Sequence, residues 1–386
     1  MTELMTAETD TLLKVPQGEF VLERLPKRSL ELLRAWDAAD EYLLNYMAEQ
    51  VIADDARLLI LNDGFGALAL GLNAYKPQAV SDSYLSQQAT RLNLLANDLP
   101  TDNLILTNSL EPLTGFYDWV LIKAPKTLAL LEDQLIRIHS HLEPNTQIIV
   151  AGMVKTMTPT IWKLLERLIG GTTTSLAKKK ARLIFVTPDS AIQASESPYP
   201  VRYQLEGTDF IISNHANVFS RDSLDMGTRF FLQHLPITKG VVDIVDLGCG
   251  NGLLGLIVAE KNSEALVHFV DESYMAVAST QDNFESALGK QRRAVFKVGD
   301  GLQDFLPESV DIVLCNPPFH QQNAIGDQIA NSMIKGAKNV LRKGSGEIWI
   351  VGNRHLNYQV TLKRVFGNYH CVAENKKFVI LKAKNK

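Results

Sequence analysis

From Leu58 onward, short apolar runs alternate with stretches in which apolar residues recur at helical spacing. RLLILND, QAVSD, DWVLIKAP, QIIVAGM and ARLIFV read as strands, and SQQATRLNLLAN, KTLALLEDQLIRIHSHL and IWKLLERLIGG between them read as helices. Strands and helices alternating at these lengths call for right-handed crossovers and a parallel sheet, an α/β architecture. The segment before them, up to about residue 50 and including LERLPKRSLELLRAWDAADEYLLNYM, is predicted helical and expected to cover one face of that sheet.

TPDSAIQASESPYP is rich in Pro, Ser and Ala and lacks periodicity, so it reads as a linker and places a boundary between domains 1–195 and 196–386. After VRYQLEGTDFIISN, which reads as a hairpin, the alternation restarts with VVDIVDLGCGNG, ALVHFVDES, AVFKVGDG, VDIVLCNPPF, GEIWIVGNRH and KFVILKA as its apolar runs. The order of features repeats that of the first half and points to an internal duplication. In this reading Gly64 and Gly66 match Gly248 and Gly250, Asp82 matches Asp271, Asp118 matches Asp311, and IIVAGM matches IWIVGN. Asn62 then stands where Asp246 stands and Leu68 where Gly252 stands, while Lys123, Ala124, Pro125 and Lys126 replace Asn316, Pro317, Pro318 and Phe319. Chemistry is therefore expected in the second half.

Length and composition narrow the class. A chain of 386 residues, 46% hydrophobic and 21% charged, has the balance of a packed two-domain protein. A net charge of -4 offers no global attraction for a polyanion, so any nucleic-acid contact must rest on local basic patches. The cysteines, Cys249, Cys315 and Cys371, form no C-x-x-C pair, which argues against a disulfide framework and a zinc site; no metal is expected. With an acidic start and no long apolar run, a cytoplasmic protein without membrane insertion is expected.

Glycines at 248, 250 and 252 between a strand and a helix permit a tight turn with positive φ and let a ligand approach bare backbone. Such glycines also serve plain strand-to-helix turns. Asp246 at the end of the first strand and Asp271 after the second strengthen the ligand reading, since a carboxylate at the latter position commonly accepts from ribose hydroxyls. The dinucleotide pattern G-x-G-x-x-G is not matched. D-x-G-x-G-x-G instead resembles motif I of the class I S-adenosylmethionine-dependent methyltransferases, whose doubly wound sheet ends in an antiparallel hairpin; NRHLNYQVTLKRVFG and KFVILKA would supply that ending. The resemblance implies that Asp246, Gly248 and Gly250 surround the methionine moiety, that Asp271 holds the ribose and that Asp300 lies beside the adenine, although a surface turn would also favour GDG.

NPPF resembles motif IV of the same family, an Asn, Asp or Ser followed by two prolines and an aromatic residue, which marks methyl transfer to an amino nitrogen conjugated to a planar system. The resemblance implies that the Asn316 side-chain oxygen and the Pro317 carbonyl accept the two amine protons beside the donor, and that Phe319 stacks on the base. Stacking of this kind contributes on the order of 1 to 3 kcal/mol. An ordinary Asn-Pro turn with a core phenylalanine is the plainer reading, and His320 either orients substrate or meets solvent.

NVFSRDSLDMGTRFFLQHLP, DLGCGNGLLGL, CNPPFHQQ, IVGNRHLNY and NKKFVILKA together resemble the bacterial ribosomal RNA guanine-N2 methyltransferases of duplicated architecture, the large-subunit (23S) branch most of all. This implies two tandem Rossmann-like class I methyltransferase domains: a degenerate N-terminal one supporting RNA binding or folding, and a catalytic C-terminal one using S-adenosylmethionine. Phe219 and the Leu224–Arg229 segment would cover the cofactor. Lys178, Lys179, Lys180 and Arg182, then Lys290, Arg292 and Arg293, and the lysines after Lys376 are candidate phosphate contacts, though short basic runs are also common solvated surface. The target base must be unpaired or flipped, so naked or partly assembled RNA is the expected substrate. The alternatives are a small-subunit (16S) guanine, adenine N6 or a protein glutamine as acceptor, or an inactive RNA-binding or RNA-folding protein.

Overall fold

A computed structural model describes the chain from Asp10 to Lys386, apart from residues 28–30, 32, 239, 241 and 319–323. It divides into two compact units, Met1–Pro198 and Tyr199–Lys386.

The first unit opens with β1 (Leu12–Val15) and β2 (Gly18–Val21), followed by α1 (Ala38–Ala48). Its main elements are β3 (Leu58–Leu61), α2 (Ala67–Gly71), β4 (Gln78–Ser81), α3 (Tyr84–Ala96), β5 (Ile105–Asn108), β6 (Trp119–Lys123), α4 (Leu128–His139), β7 (Gln147–Met153), α5 (Pro159–Leu168), β8 (Thr172–Thr174) and β9 (Ala181–Val186). The sheet order is β5-β4-β3-β6-β7-β9-β8, parallel through β7, with β9 antiparallel between β7 and β8.

The second unit begins with the antiparallel pair β10 (Val201–Gln204) and β11 (Ile211–Asn214), then α6 (Met226–Leu232). It continues through β12 (Asp243–Leu247), α7 (Leu253–Lys261), β13 (Leu266–Asp271), α8 (Tyr274–Leu288), β14 (Ala294–Val298), β15 (Ile312–Cys315), α9 (Ala324–Val340), β16 (Glu347–Asn353), α10 (Tyr358–Phe366), β17 (His370–Glu374) and β18 (Phe378–Lys384). Its sheet order, β14-β13-β12-β15-β16-β18-β17, repeats the first. Each unit is thus a doubly wound α/β domain, and the chain carries two in tandem. The central strands are buried on both faces, as β3 (LLIL) and β15 (IVLC) show, because helices cover both sides of a parallel sheet.

Two expectations are corrected. Residues 12–21 form a hairpin and not a helix: Leu13 pairs with Phe20, both are buried on one face while Lys14 and Glu19 stay out, and a tight turn at Pro16 and Gln17 joins the strands. Among the described residues helix appears only from Ala38, where the Asp37 side chain accepts from Ala39 N–H and the Asp40 side chain accepts from Asp37 N–H; residues 1–9, 28–30 and 32 of the expected helical segment lie outside the described residues. Near the C-terminus, NRHLNYQVTLKRVFG ends β16 and then forms a short 3₁₀ turn and α10, so the closing hairpin is β17 and β18 alone. Leu362 and Phe366 at helical spacing are both buried.

Candidate active site

The candidate residues gather at the carboxyl edge of the second sheet, where successive parallel strands release their chains side by side. Asp246, the penultimate residue of β12, is 1% exposed, and its Oδ2 accepts the Gly255 N–H in the first turn of α7 at 2.8 Å. Burial pushes its pKa up to about 7, Asp271 adds to the rise, and the Gly255 hydrogen bond opposes it. Beyond β12 the loop folds over the end of β13, with the N–H groups of Gly248 and Cys249 donating to Val270 O at 2.8 and 3.0 Å.

Gly248, Gly250 and Gly252 all take positive φ, at +69°, +57° and +79°, but their surroundings differ. A Cβ on Gly250 would meet nothing within 4 Å, and one on Gly248 only Met333 Cε at 3.1 Å. On Gly252 it would lie 2.6 Å from Thr280 Cγ2, and on Gly255 it would lie 2.2 Å from Phe269 Cε1. The first two glycines therefore leave room for a ligand, whereas the last two serve helix-to-helix and helix-to-strand packing. Glycine spacing in the sequence does not separate these roles.

Asp271 ends β13; its Oδ2 accepts from Gly250 N–H at 2.9 Å and its Oδ1 from Ser273 N–H at 3.0 Å. Asp300, two residues beyond β14, is half-buried, and burial followed by the neighbouring Asp304 raises its pKa. The thiols of Cys249 and Cys315 are both buried and pushed up by that burial, so neither is a ready nucleophile.

Asn316 follows β15, whose Cys315 pairs with Leu247, so Asn316 and Gly248 leave neighbouring strands together. Its Nδ2–H donates to Thr228 Oγ1 at 2.9 Å. Its Oδ1 is shielded from solvent and accepts a hydrogen bond from none of the described residues. Leaving such an acceptor unmet costs about 1 to 3 kcal/mol, which marks it as a place where a donor is expected. Pro317 is buried and Pro318 exposed; Phe319 and His320 lie outside the described residues. Phe219 is half exposed.

Thr228 is not singled out by the sequence beyond its place in LDMGTR. It lies in the first turn of α6, its N–H held at 2.8 Å by Oδ2 of the N-cap Asp225. Nothing in local sequence signals its contact with a residue 88 positions away. Asn353, the last residue of β16, also carries a buried amide oxygen without a described partner, as do Asn214 and Asn385 in the same unit.

The first unit shows what has been lost at the matching places, and strand register corrects the alignment there by two residues in the glycine loop and by one at Asp271, leaving Lys123 opposite Asn316. Leu61 pairs with Val80 and Ile122, as Leu247 pairs with Val270 and Cys315. Gly66 is therefore the partner of Gly252: both are left-handed N-caps, and a Cβ on either would strike a threonine, Thr90 or Thr280. Likewise Asn93 donates to Phe65 O as Asn283 donates to Asn251 O. Ile60 then replaces Asp246, Asn62 at φ +65° replaces Gly248, and Ser81 replaces Asp271. Asp63 supplies the helix-capping carboxylate instead, accepting from Ala69 N–H at 2.8 Å as Asp246 accepts from Gly255.

The Asn62 and Gln134 amides bond each other at 2.7 and 2.8 Å, and Lys123, matching Asn316, bonds Asp37 and Asp40 at 2.8 Å each. The space left beside Asp63, Ser81 and Thr90 is about 10 Å³, no more than one water needs.

Among the predicted phosphate contacts, several have internal partners. Lys178 lies over the Tyr42 ring, Lys179 pairs with Glu41 at 2.7 Å, and Arg292 donates to the carbonyls of Ala259 and Asn262. No helix among the described residues is long and apolar enough to cross a membrane.

Known proteins share both units. Residues 10–190 match the RLMG N-terminal domain and residues 209–382 the Methyltransferase small domain. A Stutzerimonas stutzeri protein named ribosomal RNA large subunit methyltransferase G is 49% identical over 373 residues, covering 96% of this chain and 99% of its own. A Streptomyces griseus protein of the same name is 46% identical, with 95% and 97% covered. Among solved structures, a T. thermophilus 16S rRNA N2 methyltransferase in complex with AdoMet and guanosine superposes with a TM-score of 0.74 at 21% identity, covering 97% of this chain and 98% of that one, a likeness of fold.

Proposed function

We infer that this chain, which belongs to the ribosomal RNA large subunit methyltransferase G family, is an S-adenosylmethionine-dependent methyltransferase that acts on the exocyclic N2 amine of a guanine in 23S ribosomal RNA. The observation that carries this reading is the buried Oδ1 of Asn316, without a partner among the described residues, beside a loop of left-handed glycines.

The residues present fit the cofactor. The open flank of Gly250 leaves room for a ligand against the backbone, Asp271 holds a carboxylate against the Gly250 N–H at the end of β13, and Asp246 sets a second carboxylate beside the loop. When bound, S-adenosylmethionine supplies an electrophilic methyl group on a sulfonium. Gly248, Gly250 and Asp246 would hold its methionine end, Asp271 its ribose, and Asp300 would border its adenine.

The chain's own contribution is orientation. A guanine N2 lone pair is delocalised into the ring, so the nitrogen is a weak nucleophile in its planar form. Asn316 Oδ1 and the Pro317 carbonyl accept its two protons and hold the nitrogen nearer a tetrahedral arrangement, with the lone pair directed at the methyl. The prolines fix φ and stiffen the turn, so this geometry exists before substrate arrives. Phe319 would stack on the base. Because a stacked, paired guanine cannot enter such a site, naked or partly assembled RNA is the preferred substrate. In the first unit the ligand-facing positions are filled, which speaks against donor chemistry there.

The deciding experiment supplies tritiated S-adenosylmethionine to separated 23S RNA, 16S RNA and ribosomal protein from cells lacking this protein. Label is expected in 23S RNA as N2-methylguanine; label confined to 16S RNA or protein overturns the substrate assignment.

A further inference from the structure

Resting on the role assigned to Asn316, we propose that Thr228 is a positioning residue, whose hydroxyl fixes the orientation of the Asn316 amide so that oxygen, and not NH2, faces the reacting amine.

A side-chain amide has two ends of nearly equal shape and opposite hydrogen-bonding character. If Asn316 turned over, its NH2 would meet the NH2 of the substrate, donor against donor, and the amine would lose the acceptor that draws it out of planarity. The proline-rich turn fixes the backbone of this corner but does not choose between the two faces of the amide. A hydroxyl can accept or donate; here Thr228 Oγ1 accepts, 2.9 Å from Nδ2, and that role is the one that leaves Oδ1 facing the amine.

The hydroxyl is itself placed. Thr228 is 9% exposed, β-branched and in the first turn of α6, where the Asp225 carboxylate holds its N–H at 2.8 Å. The chain Asp225, Thr228, Asn316 thus runs from a helix cap to the end of β15, with Oδ1, which has no partner among the described residues, at its far end.

The test compares Thr228→Val, which keeps the shape and loses the acceptor, with Thr228→Ser, which keeps the hydroxyl. Thr228→Val is expected to lower kcat by roughly 10- to 100-fold, the scale of a misplaced catalytic contact, with donor affinity by calorimetry unchanged; Thr228→Ser is expected to restore most of the rate. A carboxylate has no wrong face, so in an Asn316→Asp background Thr228→Val should cost under about 3-fold. Wild-type kcat in Thr228→Val, equal losses in the Val and Ser variants, or a parallel fall in donor affinity would each overturn the assignment. Asn316→Ala separates the two roles. If it keeps full turnover, the reading of Asn316 fails. If it is slow while Thr228→Val is not, only the role of Thr228 fails.

Discussion

Lys123 leaves its sheet at the same point as Asn316 leaves its own, since Ile122 pairs with Leu61 as Cys315 pairs with Leu247. The acceptor for an amine has become a cation tied to two carboxylates, and Asp246 and Asp271 have become Ile60 and Ser81. One donor molecule per chain is therefore expected in calorimetry. Asp271→Ala should abolish binding altogether, and a residual half-stoichiometry would mean that the first unit retains a pocket.

The same exchange makes Lys123 a structural residue. Its Nζ lies 2.8 Å from both Asp37 and Asp40, and Asp40 is 6% exposed. Burial disfavours the lysine charge, but Asp40 and Asp37 outweigh it and hold the lysine pKa up. Lys123→Ala strands a buried carboxylate and is expected to cost the first unit about 3 to 5 kcal/mol in urea unfolding of the full chain. Adding Asp37→Asn and Asp40→Asn should recover much of that loss; no recovery would show that the lysine acts through packing alone.

The alternation of strands and helices is enough to place Asp246, Asp271 and Asn316 together, because in a parallel sheet each lies where a strand releases its chain at one edge. Glycines are a poorer guide in the first half. Matching Gly64 to Gly248 follows composition, whereas the strand pairing of Leu61 and the threonine beneath Gly66 set the register two residues away. The hairpin at residues 12–21 is hidden by apolar residues compatible with either period. Thr228 is not legible at all, since its meaning comes from a contact made only after folding brings α6 to the end of β15.

Asp246 gives the second unit a pH signature. Its pKa rises from 3.8 to about 7 on folding, so the protonated carboxyl favours the folded state. This group's stability is fully present below pH 3.8 and is lost as pH rises towards 7, a slope that Asp246→Asn should flatten. A cationic donor reverses the preference by favouring the carboxylate. Donor affinity should fall as pH drops below about 7, and binding at about pH 6.5 should release protons, read by calorimetry in buffers of different ionisation enthalpy. Proton uptake, or unchanged release in Asp246→Asn, would remove Asp246 from the donor's surroundings.

Gly250 and Gly255 lie close in sequence but predict opposite failures. At Gly255 an added Cβ would sit 2.2 Å from the Phe269 ring, which stacks against Phe296 at 5.3 Å and meets Phe284 edge-on at 5.4 Å, so the ring has little room to retreat. Gly255→Ala is expected to destabilise the second unit by about 1 to 3 kcal/mol or more, through overpacking. At Gly250 the Cβ meets no atom, and the only structural penalty is φ +57°, about 1 to 2 kcal/mol for a residue with a side chain. The methyl group would instead occupy the flank that a ligand approaches. Gly250→Ala should therefore lose no more than that backbone penalty of about 1 to 2 kcal/mol yet bind donor at least about 10-fold more weakly, whereas Gly255→Ala should lose more stability and bind normally at temperatures where it remains folded. Tight donor binding by Gly250→Ala would mean that this flank faces solvent, and the donor would then have to lie elsewhere along the sheet edge.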